Sequence, residues 1–343
     1  MSYMKLIQDI DQGNMDRVYV LYGTETYLME DVMQRILRQS LSDDEYDFNY
    51  SKFDMNEIPI ELAVEEAFTF PFMGGKRVVL IRDPWFLTAQ KPKTDVEHNT
   101  DALLTYVSQA PEETVMIIMA SYEKLDERKK LVKELKKQTR VFKAEPMSER
   151  ELRDWISAKS ADAEVQFEKE AADAFLTLTG ADLMIMSSEI NKLTLYAADG
   201  GVITKEIVYD LVARSLEEDI FALVDATVKQ RIDEAMKIYK DLLKQKEAPI
   251  KILALVVRQF RILHQVKELK DQGYSEKAMA GKLKIHPYVV KLAAKQVSSF
   301  RKHDLLKQID ELAELDHQIK TGRISDELGV ELFILKRNKS MEV

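Results

Sequence analysis

The sequence predicts an α/β domain built on a parallel sheet, followed by an all-α remainder. In the first part, short apolar or β-branched runs at 18–23, 77–83, 114–121 and 139–145 alternate with helical patterns. Continuous apolar runs are typical of strands covered on both faces, and their alternation with helices indicates a doubly wound sheet. After residue 146 the apolar residues recur at helical spacing, and no convincing strand follows.

The remaining elements of the first part follow from local patterns. After the first strand, apolar residues at helical spacing predict a helix: Tyr27, Leu28, Val32, Ile36 and Leu37. Residues 46–53 alternate in polarity and are interpreted as a further strand. Asp101 is placed to cap a later helix. The stretch from Pro84 to Thr100 is the most linker-like part of the chain, although it lies inside this domain.

The second part begins with four predicted helices, at 149–161, 168–179, 183–199 and 205–214. Typical cap and stop residues bound them, namely Ser148 with Glu151 as a capping box, Gly180, Gly200-Gly201 and Thr204. These helices are predicted to form a small domain of their own.

The rest of the chain is also predicted to be helical. Pro249 suits the first turn of a helix. A broad apolar stripe follows, as expected of a central buried helix: Ile252, Leu255, Val256, Phe260, Leu263 and Val266. Two narrower stripes come later, the first of them stopped at Gly322: Leu305, Ile309, Leu312, Leu315 and Ile319, then Leu328, Leu332 and Leu335. We predict three domains, at 1–145, 146–213 and 214–343.

The charge is unevenly distributed along the 343 residues. Residues 1–213 carry 25 basic and 39 acidic side chains, a net of −14, whereas residues 214–343 carry 25 and 20, a net of +5. An acidic protein is a poor DNA binder on its own, because phosphate neutralisation supplies most non-specific affinity. If DNA is a partner, other subunits must supply most of the positive field.

Composition excludes several kinds of site. The chain has no cysteine, so thiol catalysis and cysteine-ligated zinc are excluded, and its five histidines are not at ligand spacing. We therefore predict no metal and no cofactor. No apolar run is long enough to span a bilayer, and the start has no signal-peptide pattern. We expect a cytoplasmic protein without a membrane partner.

The first strand runs into a segment that resembles a degenerate phosphate-binding loop. A working loop of this kind ends in a glycine, a lysine and a serine or threonine. After Gly23 the corresponding places hold Leu28, Met29 and Glu30, so the lysine and the magnesium-binding hydroxyl are both missing. The segment is either a degenerate nucleotide site or an ordinary turn between a strand and a helix.

The strand at 77–83 resembles a Walker B strand that ends in Asp83. An ATPase usually places a glutamate after that aspartate to activate water, whereas Pro84 follows here. The alternative is a core strand that ends in a turn. Neither pattern supports ATP hydrolysis, so we predict no enzymatic activity for the chain itself.

Residues 128–143 are strongly basic, and Glu134 is the one acid within them. Leu131, Val132 and Leu135 are expected to face inward. The run is either a solvated face or a helix that faces phosphates. The candidate DNA-facing residues are Lys133, Lys136, Lys137 and Arg140.

Residues 275–297 imitate a helix-turn-helix, with two short helices around residues 284–286 and the second starting at Pro287. A recognition helix presents residues such as Arg, Asn or Gln to base edges near its N-terminus. The tyrosine and two valines after Pro287 offer little of this kind. Plain helix packing is the favoured interpretation, and sequence-specific DNA binding is the alternative.

A glycine-bounded turn at 70–75 carries the most unusual composition in the chain. Phe70, Pro71, Phe72 and Met73 stand before two glycines, between a helix and the strand at 77–83. Turns lie at the surface, and aromatic side chains there suggest anchors for a partner pocket. The alternative is that the turn folds back and buries these side chains itself.

Seven segments, taken in order, resemble the delta subunit family of the bacterial DNA polymerase III clamp loader. They are VYVLYGTETYLMED, FPFMGGKRVVLIRD, YEKLDERKKLVKELKK, SSEINKLTLYA, EEDIFALVDA, VVRQFRILHQVKEL and ELDHQIKTG. The resemblance covers nearly the whole chain. It implies an AAA+-like α/β domain with a degenerate P-loop, a small helical lid domain and a helical collar domain that joins the subunits.

The resemblance also implies a function in chromosomal DNA replication. Delta subunits bind the ring-shaped sliding clamp (beta) and open it for loading on primer-template DNA. The ATPase subunits (tau/gamma) act beside them, together with delta-prime. In the family a hydrophobic pair that matches Phe72 and Met73 grips the clamp, and Phe70 and Pro71 flank it here. Thr321 stands where some members place an aromatic residue that stacks on DNA.

Two other classes of function stay open on the residues alone. A helix-turn-helix regulator with an α/β sensor domain predicts site-specific DNA binding by the isolated chain. An enzyme, either an ATPase or a polymerase, needs catalytic groups. Polymerase chemistry requires acidic residues arranged around two metal ions, and no such set is recognisable in the sequence.

Overall fold

The structure, a computed structural model, describes residues 1–72, 74–91, 94–197, 201–300 and 302–336. Two compact units divide the chain, Met1–Pro146 and Met147–Val343. The division coincides with the change of character near residue 146, whereas the further boundary between 213 and 214 stays a prediction. Within the described ranges, no helix is both long and apolar enough to cross a membrane.

The first unit is built on a parallel sheet. Its strands are β1 (Val18–Gly23), β2 (Tyr50–Asp54), β3 (Arg77–Arg82), β4 (Thr114–Ala120) and β5 (Arg140–Ala144), in the spatial order β2-β3-β4-β1-β5. Its helices are α1 (Tyr3–Asp11), α2 (Thr26–Ser40), α3 (Asp43–Asn49), α4 (Ile60–Phe68), α5 (Thr100–Gln109) and α6 (Lys130–Gln138). Every residue of β1 and β4 is buried. Because both faces of these strands are covered, they are continuous apolar runs in the sequence.

The strand predicted at 46–53 is wrong in its first half. The chain is helical to Asn49, where α3 ends, and β2 begins at Tyr50. A capping box starts this helix, since the Ser42 backbone N–H donates to Glu45 Oε2 at 2.8 Å. Three acidic residues in the first turn also favour the helix through its dipole. These local interactions outweigh the alternating polarity.

Two other details of the first unit differ from expectation. The cap of α5 is Asn99, whose side chain accepts from the Asp101 N–H at 3.2 Å, so Asp101 is not the cap. The stretch after Pro84 is not a free linker in its described part. It forms a short helical turn at Trp85–Leu87, and its Phe86 and Leu87 side chains are buried.

The second unit is mostly helical. Its helices are α7 (Glu149–Ala161), α8 (Lys169–Thr179), α9 (Leu183–Tyr196), α10 (Lys205–Leu211), α11 (Leu216–Val228), α12 (Ile232–Lys244), α13 (Pro249–Asp271), α14 (Glu276–Leu283), α15 (Pro287–Gln296), α16 (Lys302–Lys320) and α17 (Asp326–Leu335), with a short helical turn at Val297–Ser299. A parallel pair of two-residue strands, β6 (Gln166–Phe167) and β7 (Val202–Ile203), corrects the expectation that no strand follows residue 146. Together the two units confirm the predicted fold class.

Local signals in the second unit predicted most helix boundaries well. Ser148 and Glu151 form the expected capping box, and the Thr204 hydroxyl accepts from the Ile207 N–H at 3.4 Å. Gly180 follows α8 with a φ of 69°, a conformation that glycine adopts without strain. The helix predicted to reach residue 199 ends at Tyr196, and Gly200 lies outside the described residues.

Helix α13 is the centre of the second core, as its apolar stripe predicted. Five residues of the stripe are buried in one cluster: Ile252, Val256, Phe260, Leu263 and Val266. Leu255 is partly buried and packs against the same cluster. Helices α11, α12 and α15 to α17 all contribute to this cluster, so the helix unites the last part of the chain.

A half-buried carboxyl, that of Glu218, lies where α11 begins. The Ser215 N–H donates to Leu178 O at 2.8 Å, which ties the start of α11 to the end of α8. Burial raises the pKa of the Glu218 carboxyl from its ordinary value to about 7, and nearby Arg214 opposes this only in part. The raised pKa means that folding favours the protonated form of this side chain.

Glu218→Gln should therefore stabilise the second unit at high pH. The unfolded pKa lies near 4.5, so the wild-type protein loses stability as pH rises from about 4.5 to about 7, and the neutral amide avoids this loss. We expect the variant to gain on the order of 1–3 kcal/mol at pH 8, and little at pH 4.5. Chemical denaturation at both pH values measures the difference.

The matched control is Glu206→Gln at the exposed start of α10. Its own backbone and the Thr204 hydroxyl donate hydrogen bonds that lower the pKa of Glu206, so the amide should bring no gain at pH 8. Equal stability of the wild type and Glu218→Gln at pH 8 would show that the Glu218 carboxylate is adequately solvated.

Candidate functional site

The loop between α4 and β3 exposes its aromatic side chains. Phe70 and Phe72 are 77% and 70% exposed, and Pro71 is half-buried. Met73 lies outside the described residues. Composition alone left open whether this turn buries its own aromatic residues. The structure places both phenylalanine rings on the surface, where they are available to a partner.

Buried polar groups hold the backbone of this loop. The Phe72 N–H donates to Asn49 Oδ1 at 2.8 Å, and the Asn49 side chain is fully buried at the end of α3. Arg77 Nη2 donates to Phe70 O at 3.2 Å, and the same guanidinium forms an ion pair with Glu66. Because unmade bonds to buried groups are costly, these contacts fix the backbone at Phe70 and Phe72 while both rings stay exposed.

Phe48 lies against the loop and was not predicted as a site residue. Its ring stacks on that of Phe72, with centroids 5.4 Å apart and planes 29° apart, and 56% of Phe48 stays exposed. The interpretation of residues 46–53 as a strand concealed this contact. The spacing of Ser42 and Glu45 is a capping-box signal that could have revealed the helix. We call Phe48 and Phe72 the aromatic pair.

The degenerate phosphate loop at the end of β1 is closed by its own backbone. The N–H groups of Thr24 and Glu25 both donate to Ala144 O, at 3.0 and 3.2 Å. Gly23 has a φ of 144°, and a Cβ atom there would overlap the same oxygen. A working loop directs such N–H groups at phosphate, whereas here they bind the end of β5.

The side chains that replace the phosphate-binding residues have structural partners. Leu28 and Met29 lie on the buried face of α2, in the core. Arg82, at the end of β3, forms an ion pair with the Glu30 carboxylate. Asp83 adopts a left-handed conformation with a φ of 50°, and its carbonyl accepts from the Trp85 N–H at 2.7 Å. The Walker B position is thus the start of a tight turn.

No group of three or more His, Asp or Glu residues in the described ranges is arranged to hold a metal ion.

The basic run is more neutralised than its sequence indicates. Acidic residues outside the run pair with four of its members: Arg128 with Asp126, Lys136 with Glu127, Arg140 with Asp16 and Lys143 with Glu145. The expectation that Glu134 alone opposes the run is therefore wrong, because it left out acidic residues that lie outside the run in the sequence. Leu131, Val132 and Leu135 do face inward, as predicted.

The four candidate DNA-facing residues divide into two kinds. Arg140 is half-buried, and its Nε lies 2.5 Å from Asp16 Oδ2, so it is part of the packing around β5. Lys136 pairs with Glu127. Lys133 and Lys137 are exposed, lie one turn apart on α6, and form no ion pair with any described residue. Among the four candidates, Lys133 and Lys137 are therefore the ones whose charge no described acidic residue pairs with.

The segment that imitates a helix-turn-helix has the predicted helices, α14 and α15, and its second helix is packed within the unit. The Tyr288 hydroxyl donates to Leu176 O at 3.3 Å, and Lys291 pairs with Glu149. Val290 is fully buried. Burial lowers the pKa of the capping residue His286 to about 4. The N-terminal part of α15 is therefore not free to enter a DNA groove.

Two known protein families match most of the chain. Residues 19–145 match the family described as DNA polymerase III, delta subunit. Residues 217–337 match the family described as DNA polymerase III delta subunit, C-terminal domain. The first match contains the exposed aromatic loop and the degenerate phosphate loop, and the second contains α13 and the helices around it.

Individual relatives agree with these matches. The DNA polymerase III subunit delta of Bacillus subtilis (strain 168) is 40% identical over 335 residues, which cover 98% of this chain and 96% of that protein. The probable DNA polymerase III subunit delta of Aquifex aeolicus (strain VF5) is 24% identical over 264 residues, covering 75% and 73%. The solved structure of the Bacillus subtilis DNA clamp loader delta protein superposes with a TM-score of 0.82, covering 97% of this chain and 98% of that one.

Proposed function

The chain belongs to the DNA polymerase III delta subunit family, and from this premise we propose that it binds and opens the sliding clamp. It holds one subunit interface of the ring open while the clamp is loaded on primer-template DNA. The observation that carries the proposal is the exposed aromatic loop. Phe70 and Phe72 project from a backbone that buried Asn49 and Arg77 hold in place. Phe72 and Met73 are the pair that the family resemblance assigns to the clamp.

Binding alone does not open a ring. A ligand shifts an equilibrium only by its differential affinity for the two states, so this chain must bind the open clamp more tightly than the closed one. A loop with a fixed backbone suits this task, because little binding free energy is lost in ordering it. The loop is therefore assigned as a rigid element that inserts beside the interface.

We assign no nucleotide chemistry to the chain itself. The N–H groups that would bind phosphate donate to Ala144 O. Glu30 stands where the magnesium-binding hydroxyl would be, and it pairs with Arg82. The neighbouring ATPase subunits (tau/gamma) bind and hydrolyse ATP in this proposal. Their nucleotide state controls when the loop meets the clamp.

Residues 214–343 are proposed to join the chain to tau/gamma and delta-prime. Their net charge of +5 differs from the acidic remainder of the chain. Helix α17 leaves Leu328, Leu332 and Leu335 about half exposed at helical spacing, which suits a packing surface for another subunit. Because the family acts in chromosomal replication, we place the protein in the cytoplasm, at the replisome.

The alternative of a helix-turn-helix regulator is not favoured. It requires the start of α15 to reach base edges, whereas Tyr288 and Lys291 of this helix contact Leu176 and Glu149. The degenerate loop likewise gives no support to an ATPase. The family matches agree with a subunit that acts by binding.

Phe72→Ala is the experiment that tests the proposed function. The ring is a surface anchor, so its loss should weaken clamp binding by about 2 kcal/mol or more, roughly 30-fold. The melting temperature should change little, because truncation of an exposed ring leaves no cavity. Surface plasmon resonance against the clamp and thermal unfolding of the same sample measure the two effects.

Tyr209→Ala is the matched control, since Tyr209 is an exposed aromatic residue of the second unit. It should leave clamp affinity unchanged. If Phe72→Ala melts much earlier while its folded fraction binds the clamp normally, Phe72 is a core residue and the site is elsewhere.

The isolated chain should not bind ATP at micromolar concentration. The backbone donors of the loop after β1 are already bound to Ala144 O, and no lysine stands in the loop to hold the phosphates. Isothermal titration calorimetry with Mg-ATP should give no saturable heat, while the ATPase subunits bind under the same conditions. A stoichiometric isotherm from this chain would overturn the assignment.

The double variant Lys133→Glu with Lys137→Glu should reduce DNA-stimulated clamp loading several-fold in the assembled complex. Both side chains are exposed and unpaired among the described residues, so their charge is free for phosphate contacts. The difference should shrink as salt is raised, because released counterions drive such contacts.

Clamp binding without DNA serves as the internal control and should not change. Lys5→Glu with Lys124→Glu makes the same change of charge at other exposed positions of the first unit. An equal loss of loading in this second variant would assign the effect to net charge rather than to α6.

A further inference from the structure

We propose that Phe48 is a second clamp-binding anchor, so that the clamp meets the aromatic pair on α3 and the loop rather than the loop alone. The inference rests on the proposed function. Phe48 precedes β2 and Phe72 precedes β3, and these strands are parallel neighbours with Tyr50 beside Val78. The segments that enter the two strands therefore lie at the same edge of the sheet.

The two rings form one continuous apolar surface. Their centroids are 5.4 Å apart in a stacked arrangement, yet Phe48 stays 56% and Phe72 70% exposed. Each ring thus covers part of the other, and more than half of each side chain is exposed to solvent. Stacked aromatic pairs gain free energy beyond the area that they bury, so the pair behaves as one rigid unit.

Both ends of helix α3 contact the loop. Near the C-terminus of the helix, Asn49 Oδ1 accepts from the Phe72 N–H at 2.8 Å. In the first turn, Glu45 lies against Gly74, where a Cβ atom would overlap the Glu45 carboxylate. Gly74 also has a φ of 80°, which favours glycine. The loop is therefore fitted to α3, and a partner that contacts Phe72 also reaches Phe48.

The surroundings of Phe48 indicate the chemistry of the receiving surface. Asp44 lies one turn before Phe48 on α3, Asp47 precedes it directly, and both side chains are exposed. The complementary surface on the clamp is an apolar slot, wide enough for two stacked rings, with basic residues at its rim. Complementary charges of this kind accelerate association and select the partner.

A double-mutant cycle on the full-length chain tests the inference. Clamp affinity is measured for the wild type, Phe48→Ala, Phe72→Ala and the double variant. We expect Phe48→Ala to lose about tenfold or more in affinity. The double variant should lose less than the product of the two single losses, because the rings act as a pair. Tyr46→Ala, on the same helix but with its ring 5.0 Å from Tyr50, should stay within about threefold of the wild type.

The outcomes separate the inference from the function on which it rests. If Phe72→Ala weakens binding and Phe48→Ala stays within about threefold of the wild type, the second anchor is refuted and the proposed function stands. If neither change weakens binding, the loop is not the clamp site and both fail. Should Phe48→Ala not fold, Phe48→Leu decides. A loss above about threefold with normal melting supports the anchor, and unchanged affinity refutes it.

Discussion

The parallel direction of the five strands is the constraint on which the rest of the first unit depends. In a parallel sheet every strand starts at one edge and ends at the other, so connections must cross a face to return. Because β2 and β3 are neighbours with Tyr50 beside Val78, whatever precedes them meets at the starting edge. Helix α3 and the aromatic loop are those preceding segments. Their contact is thus a consequence of topology.

The opposite edge, where the strands end, is the usual ligand site of open α/β sheets. In this chain the end of β1 turns against the end of β5, with Thr24 and Glu25 donating to Ala144 O. Arg82 at the end of β3 neutralises Glu30 in the same region. In the proposed function the edge where the strands end binds no ligand, and the clamp contacts the edge where the strands start.

Apolar runs in the sequence predicted the buried strands and the second core, whereas no sequence pattern predicted pairing across long separations. The apolar runs identified β1, β3, β4 and β5, because strands covered on both faces leave a continuous signal. The stripe of α13 identified the second core in the same way. Two-residue strands such as β6 and β7 leave no periodic signal, so they were missed.

The candidate site could be predicted only in part, because it depends on contacts between residues that are far apart in the chain. Composition identified Phe70 and Phe72 as unusual on a turn, but it could not decide their exposure, which depends on Asn49 and Arg77. Phe48 lies beside Phe72 because the strands that follow them, β2 and β3, are neighbours in the sheet. Arg140, a candidate DNA-facing residue, pairs with Asp16, which lies 124 residues away in the chain. Local sequence cannot report such a pairing.

An exposed aromatic pair is useful only if its position is fixed. A mobile loop would spend part of its binding free energy on ordering, and that part could not contribute to opening a ring. Here Asn49 fixes the Phe72 N–H from within the core, and Phe48 restricts the ring from outside. The free energy of seating the rings is then available to favour the clamp conformation whose surface fits them. In the proposed function, the polar contacts buried behind the loop are therefore as necessary for clamp opening as the rings themselves.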